Sequence, residues 1–164
     1  MTIITAQWPA PPQVKALTTT RFGGVSQGDF AQWNLAAHVQ DNPDHVATNR
    51  QILLETLQLP NDPIWLNQTH STRCVNVDIP GYDSNADASL SRQSNQVLAI
   101  MTADCLPIML CNQQGTEIAA IHAGWRGLAM GIINHTLAQM QTDPRECMAW
   151  IGPAICGKCY ATGN

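Results

Sequence analysis

The chain has 164 residues, of which 45% are hydrophobic and 12% charged, and its formal net charge is −4. That length supports one domain with a real core, and the composition excludes a disordered chain. The acidic balance and singly scattered Lys and Arg exclude a basic nucleic-acid stripe, and no apolar run reaches the length of a membrane-spanning helix. The opening MTIITAQWPAPPQ lacks the basic and long apolar regions of a secretory signal, so a cytoplasmic protein with reduced thiols is expected.

Pro9 to Pro12 form a stiff lead-in, and Val14 to Arg21, rich in Thr, reads as a first strand. Phe22 to Phe30 is a glycine-containing loop. Asn-Pro-Asp turn chemistry followed by apolar spacing at Val46, Ile52, Leu53 and Leu57 predicts a helix from about Pro43 to Leu57, ended near Pro60. Ile64 to Asn67 and Arg73 to Asp78 read as short strands, and Pro80 to Asn95 as a polar loop. Val97 to Thr102, Leu106 to Cys111 and Thr116 to His122 read as apolar strands, the last two joined by a turn over 112–115. Helical spacing follows over Leu128 to Met140, and Met148 to Ile151 is a further strand.

The hairpin carries a geometric expectation. A four-residue turn over 112–115 makes the numbers of facing residues sum to 227, which sets Cys105 opposite His122. Facing side chains share one side of a sheet with Cβ atoms ~4.5–5.5 Å apart. His70, in NQTHS, lies in a polar loop at a strand end. Two imidazoles and one thiol suit a tetrahedral zinc ion with one position open for water or substrate. The same groups suit a cysteine nucleophile with a histidine base. The residues alone leave both readings open.

Other residues carry weaker signals. Asp104 is placed to orient a ligand histidine or to form a salt bridge, and Asp87, in NADAS, reads as a turn former. Arg126, in GWRGLAMG, falls at a helix start, where an anion is attracted. Arg21, Gly24 and Ser26 lie in RFGGVS, a loop that permits close backbone approach but matches no phosphate or dinucleotide fingerprint. His38, His45 and His135 read as structural or solvated. Cys74, Cys111 and Cys147 read as small buried hydrophobes, and the Cys156–Cys159 pair as loop or packing residues.

TTTRFGGVS, NQTHS, ADA, TADCLPIML, AAIHAGWRG and IGPAI followed by C-x-x-C-Y, in this order, closely resemble the laccase-domain family from about Leu17 to Tyr160. Its members, long labelled multicopper polyphenol oxidases, are understood as zinc-dependent purine nucleoside enzymes. The resemblance implies an α+β fold, a sandwich of mixed β-sheets flanked by helices and similar to cysteine hydrolases. It implies zinc held by His70, Cys105 and His122, with copper as the alternative ion. It further implies phosphorolysis of adenosine, inosine, guanosine and methylthioadenosine, with adenosine deamination alongside, so the expected partners are a purine nucleoside and phosphate. Arg126 or the Arg21, Gly24 and Ser26 loop would hold that phosphate. Members of the family continue beyond the CY block, so residues 1–164 read as a single domain lacking its C-terminal part, which weakens the case for activity and allows a homo-oligomer through an exposed core flank. A metal-free cysteine hydrolase using Cys105 and His122, a copper polyphenol oxidase and an inactive truncated relative are the competing readings. Five histidines are too few for a multicopper centre.

Overall fold

The helix over Pro43–Leu57 (α1) begins and ends where local chemistry dictates. Asn42 caps it by accepting from the Asp44 N–H, Pro43 occupies the first turn, and Gln58 closes it in the left-handed region at φ 48°. In the computed structural model, which describes residues 1–161, this helix belongs to a compact unit made of Met1–Ala6 and Ala16–Asp62. Two short strands, Ile3–Thr5 (β1) and Leu17–Thr19 (β2), pair antiparallel in the same unit. The strand expected over Val14 to Arg21 is thus shorter, and β1 was not foreseen.

The second unit comprises Gln7–Lys15 and the chain from Pro63 onward. Its sheet contains Cys74–Asn76 (β3), Ala88–Ser91 (β4), Leu106–Asn112 (β5), Ile118–Ala123 (β6) and Cys147–Ile151 (β7), in the order β3-β4-β6-β5-β7. Only β3 and β4 run parallel; the other pairs are antiparallel. With two sheets, one of them mixed, and few helices, the α+β class holds.

Strand β4 lies inside the segment expected to be a polar loop. All four of its residues are buried, and it sits between β3 and β6. Its Ala-Ser-Leu-Ser sequence has little apolar bulk, but small residues with alternate hydroxyls fit a crowded sheet interior. By contrast, the strand expected over Val97 to Thr102 is reduced to one bridge between Leu98 and Ile64, and the one over Ile64 to Asn67 to bridges at its two ends.

The hairpin register differs from the expected one by two. Pro107, not Cys105, faces His122, and paired numbers sum to 229. The turn is four residues long, as expected, but lies one position later: the Asn112 N–H donates to Glu117 O, and the Asn112 side chain accepts from the N–H groups of Thr116 and Glu117. Moving a turn by one residue moves the pairing by two, and a pleat of period two then keeps every side chain on its original face.

One face of this sheet carries Ala88, Leu90, Ile108, Leu110, Ala119 and Ile121 into the core. The helix over Ile132–Gln139 (α3) covers it with Ile132, joined by Met140 just past its C-terminus, and each buried Leu or Ile here contributes roughly 1.5–3 kcal/mol. The expected helix over Leu128 to Met140 is broken in two. A short helix, Trp125–Ala129 (α2), precedes α3, and Gly131 between them takes φ 87°, open to glycine but strained for other residues. No helix of the described residues is long and apolar enough to cross a membrane.

Candidate metal centre

On the opposite face from that core, β6 presents His122, and Cys105 immediately precedes β5. The His122 side chain is buried, Cys105 is half-buried, and His70 is exposed in the loop that follows the Asn67 bridge. Their ligand atoms lie within 4.8 Å of one another, and these three form the one such group of His, Cys, Asp or Glu found among the described residues. The Cys105 sulfur is 4.0 Å from His70 Nε2, and the two imidazoles meet edge to face with centroids 4.8 Å apart.

Close approach at this point depends on Gly124, directly after β6. A Cβ there would stand 2.9 Å from His70 Cδ2 and 3.1 Å from the Cys105 sulfur. Its backbone lies at φ −65°, which any residue adopts, so space rather than conformation demands glycine.

Asp87, immediately before β4, holds the group together. It is completely buried. Its Oδ1 accepts from His122 Nδ1 at 2.8 Å and from the His70 N–H at 2.9 Å. Its Oδ2 accepts from the N–H groups of Thr69 and Ser71 at 3.1 and 2.7 Å, and from the Ser71 hydroxyl at 2.7 Å. Three successive backbone N–H groups form an anion-binding nest around the carboxylate, with His70 at its centre in the left-handed region at φ 60°. A strained backbone of this kind persists when its surroundings over-determine it, and Asp87 supplies that constraint.

The electrostatic consequences follow. Burial alone would raise the Asp87 pKa; hydrogen bonds from His122, Ser71 and Thr69 outweigh it and hold the carboxyl below its ordinary range. An ionised Asp87 only accepts, so His122 carries its proton on Nδ1 and turns the Nε2 lone pair outward, the tautomer a metal requires. The Cys105 thiol is raised by burial first, then by the Asp104 and Asp87 carboxylates. A cation reverses that preference by stabilising thiolate.

These residues fit a metal ion. Two imidazole nitrogens and one thiolate suit zinc or copper, and arms of ~2.0–2.3 Å span donors at these separations with small side-chain rotations. The other candidates are placed differently. Arg126, on α2, is exposed, with its guanidinium 4.9 Å over the Trp125 ring. Asp104 is exposed, and its carbonyl accepts from the Ile155 N–H; Asp87, not Asp104, orients His122. In the first unit, both Nε and Nη2 of Arg21 donate to Ala31 O. Ser26 is buried, donating to Asp41 and accepting from Asn49. A Cβ at Gly24 would collide with Gln32 O and stand 2.6 Å from Asn49 Oδ1. His45 lies 4.0 Å from Asp41.

The residue that sequence reasoning undervalued is Asp87. The signal was available in ADASLS: a carboxylate between two alanines, followed by alternating Ser and Leu, reads as the mouth of a short buried strand.

Comparison with known proteins follows the same residues. A family model described as multi-copper polyphenol oxidoreductase laccase matches residues 15–164. A protein of Escherichia coli (strain K12) named Purine nucleoside phosphorylase YfiH is 45% identical over 163 residues, covering 99% of this chain and 67% of that protein. A Haemophilus influenzae protein named Purine nucleoside phosphorylase has the same identity and coverage. Among solved structures, Neisseria meningitidis NMB0706 superimposes with a TM-score of 0.89 at 48% identity, over 96% of this chain and 65% of that one. YlmD from Geobacillus stearothermophilus gives a TM-score of 0.82 at 32% identity, over 93% of this chain and 64% of that one. The chain therefore spans about two thirds of the length of these relatives.

Proposed function

This chain belongs to the multi-copper polyphenol oxidoreductase laccase family, and we propose that it acts, as one laccase-like domain, as a zinc-dependent purine nucleoside phosphorylase. The observation that carries this reading is the donor set: His70, Cys105 and His122 gather around one point, in a chain whose relatives bear that enzymatic name. Copper is the weaker choice of ion. His38, His45 and His135 fall outside the cluster, so the described residues offer no second set of imidazoles for a multicopper centre.

A zinc ion held by His70, Cys105 and His122 would supply a Lewis acid and an activated water. Around it, Asp87 fixes the His122 tautomer and the His70 loop, and Gly124 leaves room for the thiol to approach. Arg126, with its exposed planar guanidinium, is the first choice to bind phosphate bidentately. In phosphorolysis a phosphate oxygen bonds to ribose C1′ as the bond from C1′ to purine N9 breaks, and the departing purine takes up a proton. Adenosine, inosine, guanosine and methylthioadenosine are the proposed substrates, with deamination of adenosine as a second reaction. Arg21, Gly24 and Ser26 are the alternative phosphate loop, disfavoured because hydrogen bonds within their own unit already use Arg21 and Ser26.

One observation favours a second reading. The 4.0 Å separation of Cys105 Sγ and His70 Nε2 suits a thiol–imidazole pair, with His70 rather than His122 as the base of a metal-free hydrolase. Against it stands the raised thiol pKa.

The test combines metal analysis with product analysis. The purified chain should carry one zinc per molecule and convert inosine and phosphate to hypoxanthine and ribose 1-phosphate. Substoichiometric zinc that Cys105→Ala leaves unchanged sinks the metal reading. Stoichiometric zinc with no ribose phosphate from any of the four nucleosides sinks the phosphorylase reading, and inosine formed from adenosine without phosphate reports the deaminase separately.

A further inference from the structure

The Cys156-Gly157-Lys158-Cys159 turn takes no part in the metal cluster and was expected to serve only loop or packing roles. It is closed by the Cys159 N–H donating to Cys156 O at 2.9 Å. A closure of that type holds its end Cα atoms within ~7 Å, which overlaps the ~4.4–6.8 Å a disulfide bridges. The two sulfurs already lie 3.2 Å apart. The approach to the turn is fixed, because the Gly152 and Ile155 N–H groups donate to Pro107 O and Asp104 O. Joining the sulfurs therefore needs side-chain rotation and little backbone movement.

Exposure separates this pair from the other thiols. Both cysteines are open to solvent, whereas Cys74 and Cys111 are buried, with thiols pushed up to about 11 by desolvation. Hydrogen bonds from the Cys159 thiol and from the N–H groups of Cys159 and Lys158 hold Cys156 below the ordinary thiol range, and the same contact raises Cys159. One thiol is thus the attacker and the other its resolving partner. A metal site is the poorer reading, since no third His, Cys, Asp or Glu joins these two among the described residues.

We propose that Cys156 and Cys159 form a redox-modification site that exchanges with a diffusible, low-molecular-weight disulfide. The Cys156 thiolate attacks one sulfur of the disulfide; that S–S bond breaks, and the first thiolate leaves and is protonated. Cys159, losing its proton to solvent, attacks the Cys156 sulfur of the mixed disulfide and expels the second thiolate. The protein dithiol is oxidised by two electrons, and the small disulfide is reduced to two thiols carrying the two protons released. This chemistry is independent of the nucleoside reaction.

Glutathione disulfide is the probe. The full chain is equilibrated in buffers of rising oxidised-to-reduced glutathione ratio, alkylated and mapped by peptide mass spectrometry. The expected result is that Cys156 and Cys159 lose alkylation together as an internal disulfide, and that reduced glutathione restores both. Cys159→Ser should stop at a glutathione adduct on Cys156, and Cys156→Ser should react about tenfold more slowly or less. Circular dichroism should match the parent for both variants, because both side chains are exposed. Continued alkylation of both thiols at every ratio overturns the proposal, as does a persistent glutathione adduct in the parent chain or a bridge to another cysteine.

Discussion

The RFGGVS loop and the HAGWRG segment look alike as sequence: each pairs an arginine with two glycines. In the first, Arg21 donates twice to Ala31 O, Ser26 lies buried between Asp41 and Asn49, and Gly24 is packed against Gln32 and Asn49. Its polar atoms hold its own unit together. In the second, Gly124 yields space to a neighbouring thiol and imidazole, His122 is gripped from behind by Asp87, and Arg126 stays exposed. The proposed site falls in the segment whose hydrogen bonds orient side-chain atoms without consuming them.

The strongest way to break this contrast is to remove a ligand. Cys105→Ala or His122→Ala should abolish stoichiometric zinc and phosphorolysis, read by metal analysis and product assay; Ser26→Ala should leave both intact while costing about 1–3 kcal/mol of stability, as expected when a buried partner is lost. Metal retention in Cys105→Ala would remove the distinction between the two segments.

Asp87→Asn tests the support behind the ligands. Its loss should cost about 1–3 kcal/mol, measured by denaturant unfolding, because hydrogen bonds to a buried carboxylate are weakened. Zinc affinity should fall roughly 10–100-fold. The pH dependence has a definite sign. The folded Asp87 pKa lies below the ordinary 3.8, so its contribution is complete above about pH 4 and is lost as pH falls through the depressed folded value. The parent should lose stability with acid across that window more steeply than the variant; parallel curves would show that Asp87 contributes nothing there.

Gly124→Ala probes spacing alone. The added methyl should cost about 1–3 kcal/mol through overpacking and weaken zinc binding, with no effect from backbone conformation. Unchanged zinc affinity would mean that His70 and Cys105 need not approach so closely.

The smallest and most discriminating pair is Arg126→Ala against Arg21→Ala. The first should raise the KM for phosphate roughly 10-fold or more with stability within about 0.5 kcal/mol of the parent. The second should do the reverse, lowering stability by about 1 kcal/mol and sparing phosphate. The opposite pattern would reassign the phosphate to the first unit.

Much of the architecture was legible locally. Asn42, Pro43 and the apolar spacing behind them placed α1 to the residue, because capping and helical periodicity act over a few positions. The β5–β6 hairpin was equally legible in type, although its turn lay one residue later because Asn112 folds its side chain back over Thr116 and Glu117. Strand β4 showed only in the short alternation of ADASLS, since Ala and Ser acquire strand character chiefly from their partners in β3 and β6, about fourteen and thirty residues away. Likewise Leu128 to Met140 looked continuous, yet Gly131 broke it.

By itself, the sequence determined which residues can serve as ligands and which strand face carries two of them, because thiol and imidazole chemistry and the two-residue pleat are local properties. Tertiary structure decided that His70 joins them, that Asp87 holds the His122 imidazole and the His70 backbone, and that Arg21 and Ser26 are tied down within their own unit. Those outcomes rest on hydrogen bonds between residues apart in the chain, buried at Asp87 and Ser26 and exposed at Arg21, which form only when folding brings both partners together.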